Sequence, residues 1–268
     1  MSTLKSVTFL SFSALAMLQM CADAVAEPTR LQKIIEAKEI RVCIWPDYYG
    51  ITFRNPKTRN LSGIDIDLSA ELAKDLGVEL NYVDSSFPQL IDNLLSNQCD
   101  IAMHAVGVTP PRLAKLEFTQ PYLRSDIYAI TTKSGSAVKS WDDLDKPGRV
   151  IVVQAGTVME PVMQQSLKQA RLLIVKPPMT REQEVESGRA DAFMTDYPYS
   201  RRMLETTDWA RLIAPPQVFH LTDYAYALAP GDKSLLDRVN SFISKIKKNG
   251  RLLAIARKHK LDPIVAKD

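Results

Sequence analysis

The 268-residue sequence predicts an α/β protein of two lobes, in which helices flank open sheets. Three observations indicate this class: strand-like and helix-like segments alternate, the alternation restarts near the middle of the chain, and an extended segment follows each unit. The length suits one large domain or two ordinary ones. We expect lobe 2 at residues 131–225 and a discontinuous lobe 1 at residues 27–130 plus 226–268.

The first unit alternates strand and helix over residues 40–105. Short apolar runs predict strands at residues 40–45, 80–83 and 101–105. Leucines recur every four residues before Gly77, and this spacing predicts an amphipathic helix over 65–77 that ends at the glycine. A second apolar face predicts a helix over 88–98.

The second unit repeats the alternation over residues 150–195. Its predicted strands lie at 150–154, 172–175 and 190–195, and its predicted helices at 157–169 and 180–187. Thr157 and Glu160 have the spacing of a capping box, so we expect Thr157 to begin its helix. The unit therefore resembles the first in its order of elements.

Two extended segments, residues 127–132 and 223–228, are expected to connect the lobes. A long amphipathic helical region over 232–260, with a break near Gly250, follows the second of them and would return the chain to lobe 1. Two lobes joined by two strands form a hinge with a cleft between them. The cleft is where we expect a ligand.

Residues 1–26 have the features of a secretory signal peptide. Lys5 precedes an apolar core at 7–18, and a small-x-small triplet at 24–26 would place the mature start at Glu27. A retained anchor, or a lipoprotein processed at Cys21, are the alternatives. The formal net charge of +3, with no basic run, argues against nucleic acid as a partner.

Two cysteines, Cys43 and Cys99, remain after the predicted cleavage. In an exported chain an even count predicts one disulfide, and two buried thiols are the alternative. The chain has only three histidines and they are scattered, so we expect no metal site. No cofactor is expected either.

Four sequence blocks, in order, resemble the polar amino-acid solute-binding proteins, the periplasmic partners of ABC importers. They are GIDIDL at 63–68, DIA to FTQPY at 100–122, QAGT at 154–157 and GRADA to Asp196 at 188–196. The resemblance implies a type 2 periplasmic-binding fold with two hinge strands. It also implies a periplasmic monomer that captures a small amino acid or related carboxylate and delivers it to a membrane permease.

The resemblance implies a ligand site as well, and the chemistry of the residues agrees with it. Arg112 would bind a carboxylate through its planar fork, and Asp196 would bind an ammonium group. The other residues implied are Gly107, Thr157, Trp45, Tyr48 and Phe87. The alternatives are an ordinary surface arginine at 112, a turn cap at 196 and core packing of the aromatic residues; Asp65 is expected only to begin a helix.

Stretches at 121–124, 168–171 and 194–196 also resemble cyclohexadienyl dehydratase, an enzymatic branch that makes phenylpyruvate from prephenate. That activity, or an arogenate dehydratase-like one, would require a lysine soon after residue 124 and a glutamate soon after Asp196. Neither is present, and Glu184, the nearby acid, is expected on a helix surface. We therefore expect a binding protein, with the dehydratase and a non-transport sensor as alternatives.

Overall fold

The computed structural model describes residues 27–135, 137–231 and 233–267, so the predicted signal peptide lies outside the described residues. The helices are α1 (Arg30–Ala37), α2 (Ile64–Leu76), α3 (Leu90–Leu95), α4 (Pro110–Leu113), α5 (Met159–Ser166), α6 (Arg181–Glu186), α7 (Tyr197–Thr206), α8 (Lys233–Lys248) and α9 (Arg251–Lys258). The first seven strands are β1 (Glu39–Ile44), β2 (Phe53–Arg54), β3 (Leu61–Ser62), β4 (Glu79–Asp84), β5 (Ile101–Gly107), β6 (Glu117–Phe118) and β7 (Leu123–Ser125). The others are β8 (Ile127–Thr132), β9 (Val150–Gln154), β10 (Arg171–Val175), β11 (Ala192–Asp196), β12 (Ala210–Ile213) and β13 (Thr222–Leu228).

Two main sheets organise the chain, and we call the parts that carry them lobe 1 and lobe 2. The lobe 1 sheet has the order β4-β1-β5-β13-β6, with β7 also paired to β13. The lobe 2 sheet has the order β10-β9-β11-β8-β12. In both sheets a parallel trio, β4-β1-β5 or β10-β9-β11, is joined by an antiparallel strand, β13 or β8.

The chain passes between the sheets twice. It leaves β7 and enters β8 through the single residue Asp126, and it returns through residues 214–221 to β13. These crossings lie a few residues before the predicted boundaries at 131 and 225, which fall inside β8 and β13. The strands that follow the two crossings belong to the sheets, because β8 pairs with β11 in lobe 2 and β13 pairs with β5 in lobe 1.

Helix α2 shows how the local pattern determines packing in lobe 1. Its Leu68 and Leu72 are fully buried against the sheet, and Gly77 ends the helix in a left-handed conformation with φ of 72°. Helices α8 and α9 cover the same core with Val239 and Leu252, and Gly250 separates them at φ of 76°. The break predicted near Gly250 is therefore present.

Cys43 and Cys99 form a disulfide. Cys43 lies on β1, and Cys99 lies two residues before β5, which pairs with β1 in the same sheet. Parallel pairing brings the two Cα atoms to 5.6 Å, within the range that a disulfide spans. The predicted disulfide is confirmed.

The capping box predicted at Thr157 is wrong. Helix α5 begins only at Met159, and the Thr157 hydroxyl donates to the Gln154 carbonyl oxygen at 2.7 Å. Glu160 instead accepts from the Gly156 backbone N–H at 2.7 Å. Gly156 has φ of +75°, so the chain makes a tight turn that takes Thr157 out of the helix.

Among the described helices, none combines the length and apolar composition needed to cross a membrane.

Candidate functional site

A small cavity lies between the lobes. Lobe 1 contributes Trp45, Tyr48, Phe87, Ala105, Gly107 and Tyr224 to its lining. Lobe 2 contributes Thr157, Val158, Met159, Arg181, Thr195, Asp196 and Tyr199. The structure thus brings together at one cavity all the sequence-predicted site residues except Arg112, which lies directly against its wall.

Arg112 connects the two lobes. It lies on α4, and its guanidinium donates to the Gly107 carbonyl oxygen of lobe 1 at 2.8 Å and to the Gly156 carbonyl oxygen of lobe 2 at 2.9 Å. The residue is only 7% exposed, and this burial lowers the pKa of Arg112 to about 10. No carboxylate among the described residues forms an ion pair with it. Arg112 is therefore a buried cation with backbone partners, and it is not an ordinary surface arginine.

Three aromatic side chains form one wall of the cavity. The ring centroid of Trp45 lies 5.2 Å from that of Tyr48 and 5.2 Å from that of Phe87. The Arg112 guanidinium carbon lies 5.2 Å from the Phe87 centroid, within cation–π range. This wall offers an apolar surface beside a fixed positive charge.

Asp196, at the end of β11 in lobe 2, also lines the cavity. One carboxylate oxygen accepts from the backbone N–H of Tyr199 at 3.1 Å and so caps α7. The other accepts from the Tyr224 hydroxyl at 2.8 Å and from the Tyr48 hydroxyl. Burial raises the pKa of both tyrosines well above the usual value, so they stay protonated donors. Asp196 is thus both a helix cap and a cleft residue, and its bond to Tyr48 joins lobe 2 to lobe 1.

Gly107 and Gly156 allow the lobes to approach each other closely. A Cβ atom on Gly107 would lie 2.5 Å from Cγ2 of Val158 in the other lobe. A Cβ atom on Gly156 would lie 2.9 Å from the backbone nitrogen of Pro88. Both distances are too short for real contacts, so larger residues at these positions would push the lobes apart.

Arg181 is a second buried guanidinium at the cavity, and the sequence analysis missed it. Its carbon lies 4.0 Å from the Tyr199 ring centroid, and it donates to the Met194 carbonyl oxygen at 3.0 Å. Its Nε donates to the Glu182 carboxylate at 3.2 Å. Burial alone would raise the pKa of Glu182, but the Arg181 charge and a hydrogen bond from Tyr199 outweigh it and lower that pKa.

Glu184, which was expected on a helix surface, is only 7% exposed; it forms an ion pair with Arg189 and does not line the cavity. Glu182 approaches the site instead, through Arg181. The helix predicted at 180–187 is present as α6, and the Thr180 hydroxyl caps it by accepting from the Gln183 N–H, but the sequence pattern of this helix gives no sign that Arg181 turns towards the cleft. The sequence also gave no sign of three further cavity residues, because nothing in their spacing distinguishes them from residues of the core: Tyr199, Thr195 and Tyr224.

Asp65 supports the cavity wall from inside lobe 1. Its carboxylate accepts from the Ala105 backbone N–H at 2.9 Å, the Tyr122 hydroxyl at 2.5 Å and the Tyr226 hydroxyl at 3.1 Å. Burial raises the pKa of Asp65 to about 7. Ala105, which lines the cavity, has φ of 49°, an uncommon conformation for alanine. Asp65 lies in the first turn of α2, near where the helix was expected to begin, and its hydrogen bond also holds Ala105 in this conformation.

The segments after residue 124 and after Asp196, where the dehydratase resemblance would require a lysine and a glutamate, have structural roles at the hinge. The Asp126 carboxylate accepts from the backbone N–H groups of Ile127, Phe219 and His220 at 2.7–2.9 Å, so it ties the two crossings together. The Ser125 hydroxyl accepts from the Tyr197 N–H at 3.0 Å.

Within residues 27–135, 137–231 and 233–267, no group of histidine, cysteine or acidic side chains is arranged to hold a metal ion.

Comparison with known proteins agrees with this architecture. The family model of the bacterial extracellular solute-binding proteins, family 3, matches residues 40–262. The chain is 30% identical over 242 residues to cyclohexadienyl dehydratase of Pseudomonas aeruginosa, covering 89% of this chain and 90% of the relative. It is 26% identical over 240 residues to the L-cystine-binding protein TcyJ of Escherichia coli K12, covering 89% of each.

Solved structures share the same fold. The ancestral amino acid-binding protein AncCDT-1, a precursor of cyclohexadienyl dehydratase, matches with a TM-score of 0.78 and 30% identity over 85% of this chain and 98% of that one. A mutant of ArgBP from T. maritima matches with a TM-score of 0.76 and 26% identity over the same shares. The fold is the type 2 periplasmic-binding fold, as the sequence predicts.

Proposed function

This chain belongs to family 3 of the bacterial extracellular solute-binding proteins, and from that premise we propose that it is a periplasmic binding protein for an ABC importer. It captures a small amino acid or a related carboxylate between its lobes and delivers it to a membrane permease. The observation that carries the proposal is that Asp196 lines an interlobe cavity and Arg112 lies against its wall, each bonded to both lobes.

Arg112 binds the ligand carboxylate. A guanidinium has five N–H donors, and the two carbonyl bonds to Gly107 and Gly156 leave three for a ligand. Because no protein carboxylate among the described residues neutralises Arg112, an incoming carboxylate supplies the missing counter-charge.

Asp196 binds the ligand ammonium group. It accepts three hydrogen bonds, from the two tyrosine hydroxyls and the Tyr199 N–H, and a carboxylate has about four acceptor positions. The remaining position is available to an ammonium hydrogen. The wall of Trp45, Tyr48 and Phe87 then packs against the apolar part of the ligand.

Ligand binding is coupled to closure of the lobes. The Arg112–Gly156 and Tyr48–Asp196 hydrogen bonds both run from lobe 1 to lobe 2, and a ligand that bridges Arg112 and Asp196 adds to them. A ligand shifts a two-state hinge only by binding one state more tightly than the other. Contacts from both lobes provide that difference, and the closed form is what a permease recognises.

A thermal-shift screen of the mature protein against the common amino acids, keto acids and prephenate tests this function. At a ligand concentration of about 100 times Kd, binding adds about 2.7 kcal/mol of stability. For a chain of this size that raises the melting temperature by about 5–10 °C. Calorimetry then measures Kd for the strongest ligand. The absence of any shift with every amino acid and keto acid would contradict the proposal.

A dehydratase acting on prephenate is the second candidate, because the chain is 30% identical to cyclohexadienyl dehydratase over most of both lengths. Dehydration needs a protonated general acid. Glu182 has a lowered pKa and pairs with Arg181, and burial lowers the pKa of His104, beside Phe87, to about 4, so both lack the required proton at neutral pH. We therefore expect no loss of prephenate when it is incubated with purified protein. Catalytic turnover, with phenylpyruvate formed, would replace the binding function with the enzymatic one.

A further inference from the structure

Thr195 carries a buried hydroxyl that the fold does not use. The residue is fully buried, it lines the interlobe cavity, and its Oγ1 has no hydrogen-bond partner within the described part of the chain. Of the cavity-lining side chains that the structure describes, Thr195 is the one with such an unpartnered polar atom. Buried polar groups are nearly always hydrogen-bonded, so this exception requires an explanation.

The position of Thr195 in β11 places its hydroxyl near Arg181. Side chains alternate along a strand, so Thr195 shares a face with Phe193 and not with Met194. The Arg181 guanidinium carbon lies 5.1 Å from the Phe193 centroid on that face, and both Arg181 and Thr195 line the cavity. The hydroxyl and the guanidinium thus bound one region of the cleft, next to Asp196.

Structural stability does not favour a threonine at this position. Valine has nearly the same shape and would fill the space without an unsatisfied hydroxyl, and burying such a group without a partner is unfavourable. Thr131, on the neighbouring strand β8, shows the ordinary case, because its hydroxyl donates to the Asp191 carbonyl oxygen at 2.8 Å. A group on a bound ligand can supply the partner that the described residues do not.

The charges at the cavity restrict what that partner can be. Arg181 is already paired with Glu182, which leaves Arg112 and Asp196 for the two charges of a zwitterion. Arg202 donates to the Tyr199 hydroxyl but is partly exposed, so water screens its charge. A charged ligand side chain would lose its water next to the Arg181–Glu182 ion pair, and neither partner of that pair would be left to neutralise it.

We propose that Thr195 is a specificity-determining residue whose hydroxyl binds a neutral hydrogen-bonding group, a hydroxyl or carboxamide, on the side chain of a zwitterionic amino acid. This inference rests on the proposed function and adds the class of ligand to it.

Calorimetry with matched ligand pairs tests the proposal. The pairs are L-serine with L-alanine, L-threonine with L-valine, and L-glutamine with L-methionine, each titrated into wild type, Thr195→Val and Thr195→Ser. We expect wild type to prefer the polar member of at least one pair by about tenfold, Thr195→Val to lose that preference, and Thr195→Ser to keep it. Thr131→Val is the matched control in the same sheet and should keep the preference too.

Melting temperatures separate a ligand contact from a structural role. Thr195→Val should melt no lower than wild type, because no hydrogen bond is lost, whereas Thr131→Val should melt lower. A polar preference that survives Thr195→Val, or tighter binding of L-arginine, L-lysine, L-aspartate or L-glutamate than of every neutral amino acid, would overturn the inference and leave the binding function standing. Binding of no amino acid at all would overturn both.

Discussion

Replacing Arg112 with methionine separates ligand binding from folding more sharply than any other single change at the cleft. Methionine keeps much of the length and apolar volume of the side chain but removes the charge and all the N–H donors. In the structure this deletes one hydrogen bond within lobe 1, to Gly107, and one between the lobes, to Gly156. It also removes the cation proposed to bind the ligand carboxylate.

The expected loss of affinity follows from these contacts. A hydrogen bond to a charged group contributes about 1.5–3 kcal/mol. The interlobe bond to Gly156 and the pairing with the ligand carboxylate together give about 3–6 kcal/mol. Since every 1.4 kcal/mol changes Kd about tenfold, Arg112→Met should weaken binding about 10²- to 10⁴-fold.

Folding should respond differently. Burial lowers the pKa of Arg112 to about 10, which means that the charged form is less favourable in the folded protein than in water. Methionine does not carry this desolvation cost, so the melting temperature without ligand should stay near the wild-type value or rise.

The assay is calorimetric titration with the amino acid that gives the largest thermal shift, alongside thermal unfolding without ligand. Arg238→Met is the control, because Arg238 is a partly exposed arginine of α8 that pairs with Asp75. Unchanged affinity in Arg112→Met would refute the assignment of the carboxylate site. A loss of binding that occurs only together with unfolding would show that Arg112 acts through the fold.

Three further predictions concern closure, pH and the disulfide. Gly107→Ala should fold normally but weaken ligand binding at least tenfold, because the added Cβ would meet Val158 of the other lobe only when the lobes are closed. Small-angle scattering with ligand should show a more open molecule than wild type. Unchanged closure would contradict this prediction. Because burial raises the pKa of Asp65 to about 7, the folded chain holds a proton that the unfolded chain releases near pH 4, so stability should fall by at most about 1.4 kcal/mol per pH unit as pH rises from about 4 to 7. Urea unfolding at several pH values should show this slope reduced in Asp65→Asn, and an identical slope would reject the assignment. Replacing Cys43 and Cys99 with alanine removes a crosslink over a sequence separation of 56 and should lower the free energy of unfolding by about 4 kcal/mol in urea, whereas a change below about 1 kcal/mol would be too small for this loop.

Local sequence patterns predicted most of the fold. The leucine spacing of α2, the glycines at 77 and 250 and the short apolar strands act within a few residues, so they are visible without coordinates. The signal failed at Thr157, where the four-residue spacing fits a capping box but the left-handed Gly156 turns the chain first. A spacing cannot tell which of two local hydrogen-bond patterns the backbone adopts.

Some residues of the candidate site could likewise be predicted from the sequence and others could not. Arg112 and Asp196 could be named in advance, because they stand in sequence blocks with a recognisable order. The aromatic wall could be named because the family resemblance implies Trp45, Tyr48 and Phe87 at the site. Arg181, Thr195 and Tyr224 could not, because they become neighbours only when β11, β13 and α6 meet at the cleft.

Local patterns were enough to predict the strand and helix order of the two units, the two cysteines available for a crosslink, and a cation and an anion suited to a zwitterion. Only the folded arrangement shows which side chains share the cavity, that the Asp65 carboxylate accepts from the Ala105 N–H, and that the Thr195 hydroxyl has no partner among the described residues. The physical reason is range. Helix and strand periodicity arise from contacts a few residues apart, whereas burial and hydrogen-bond satisfaction depend on strands that are distant in the chain.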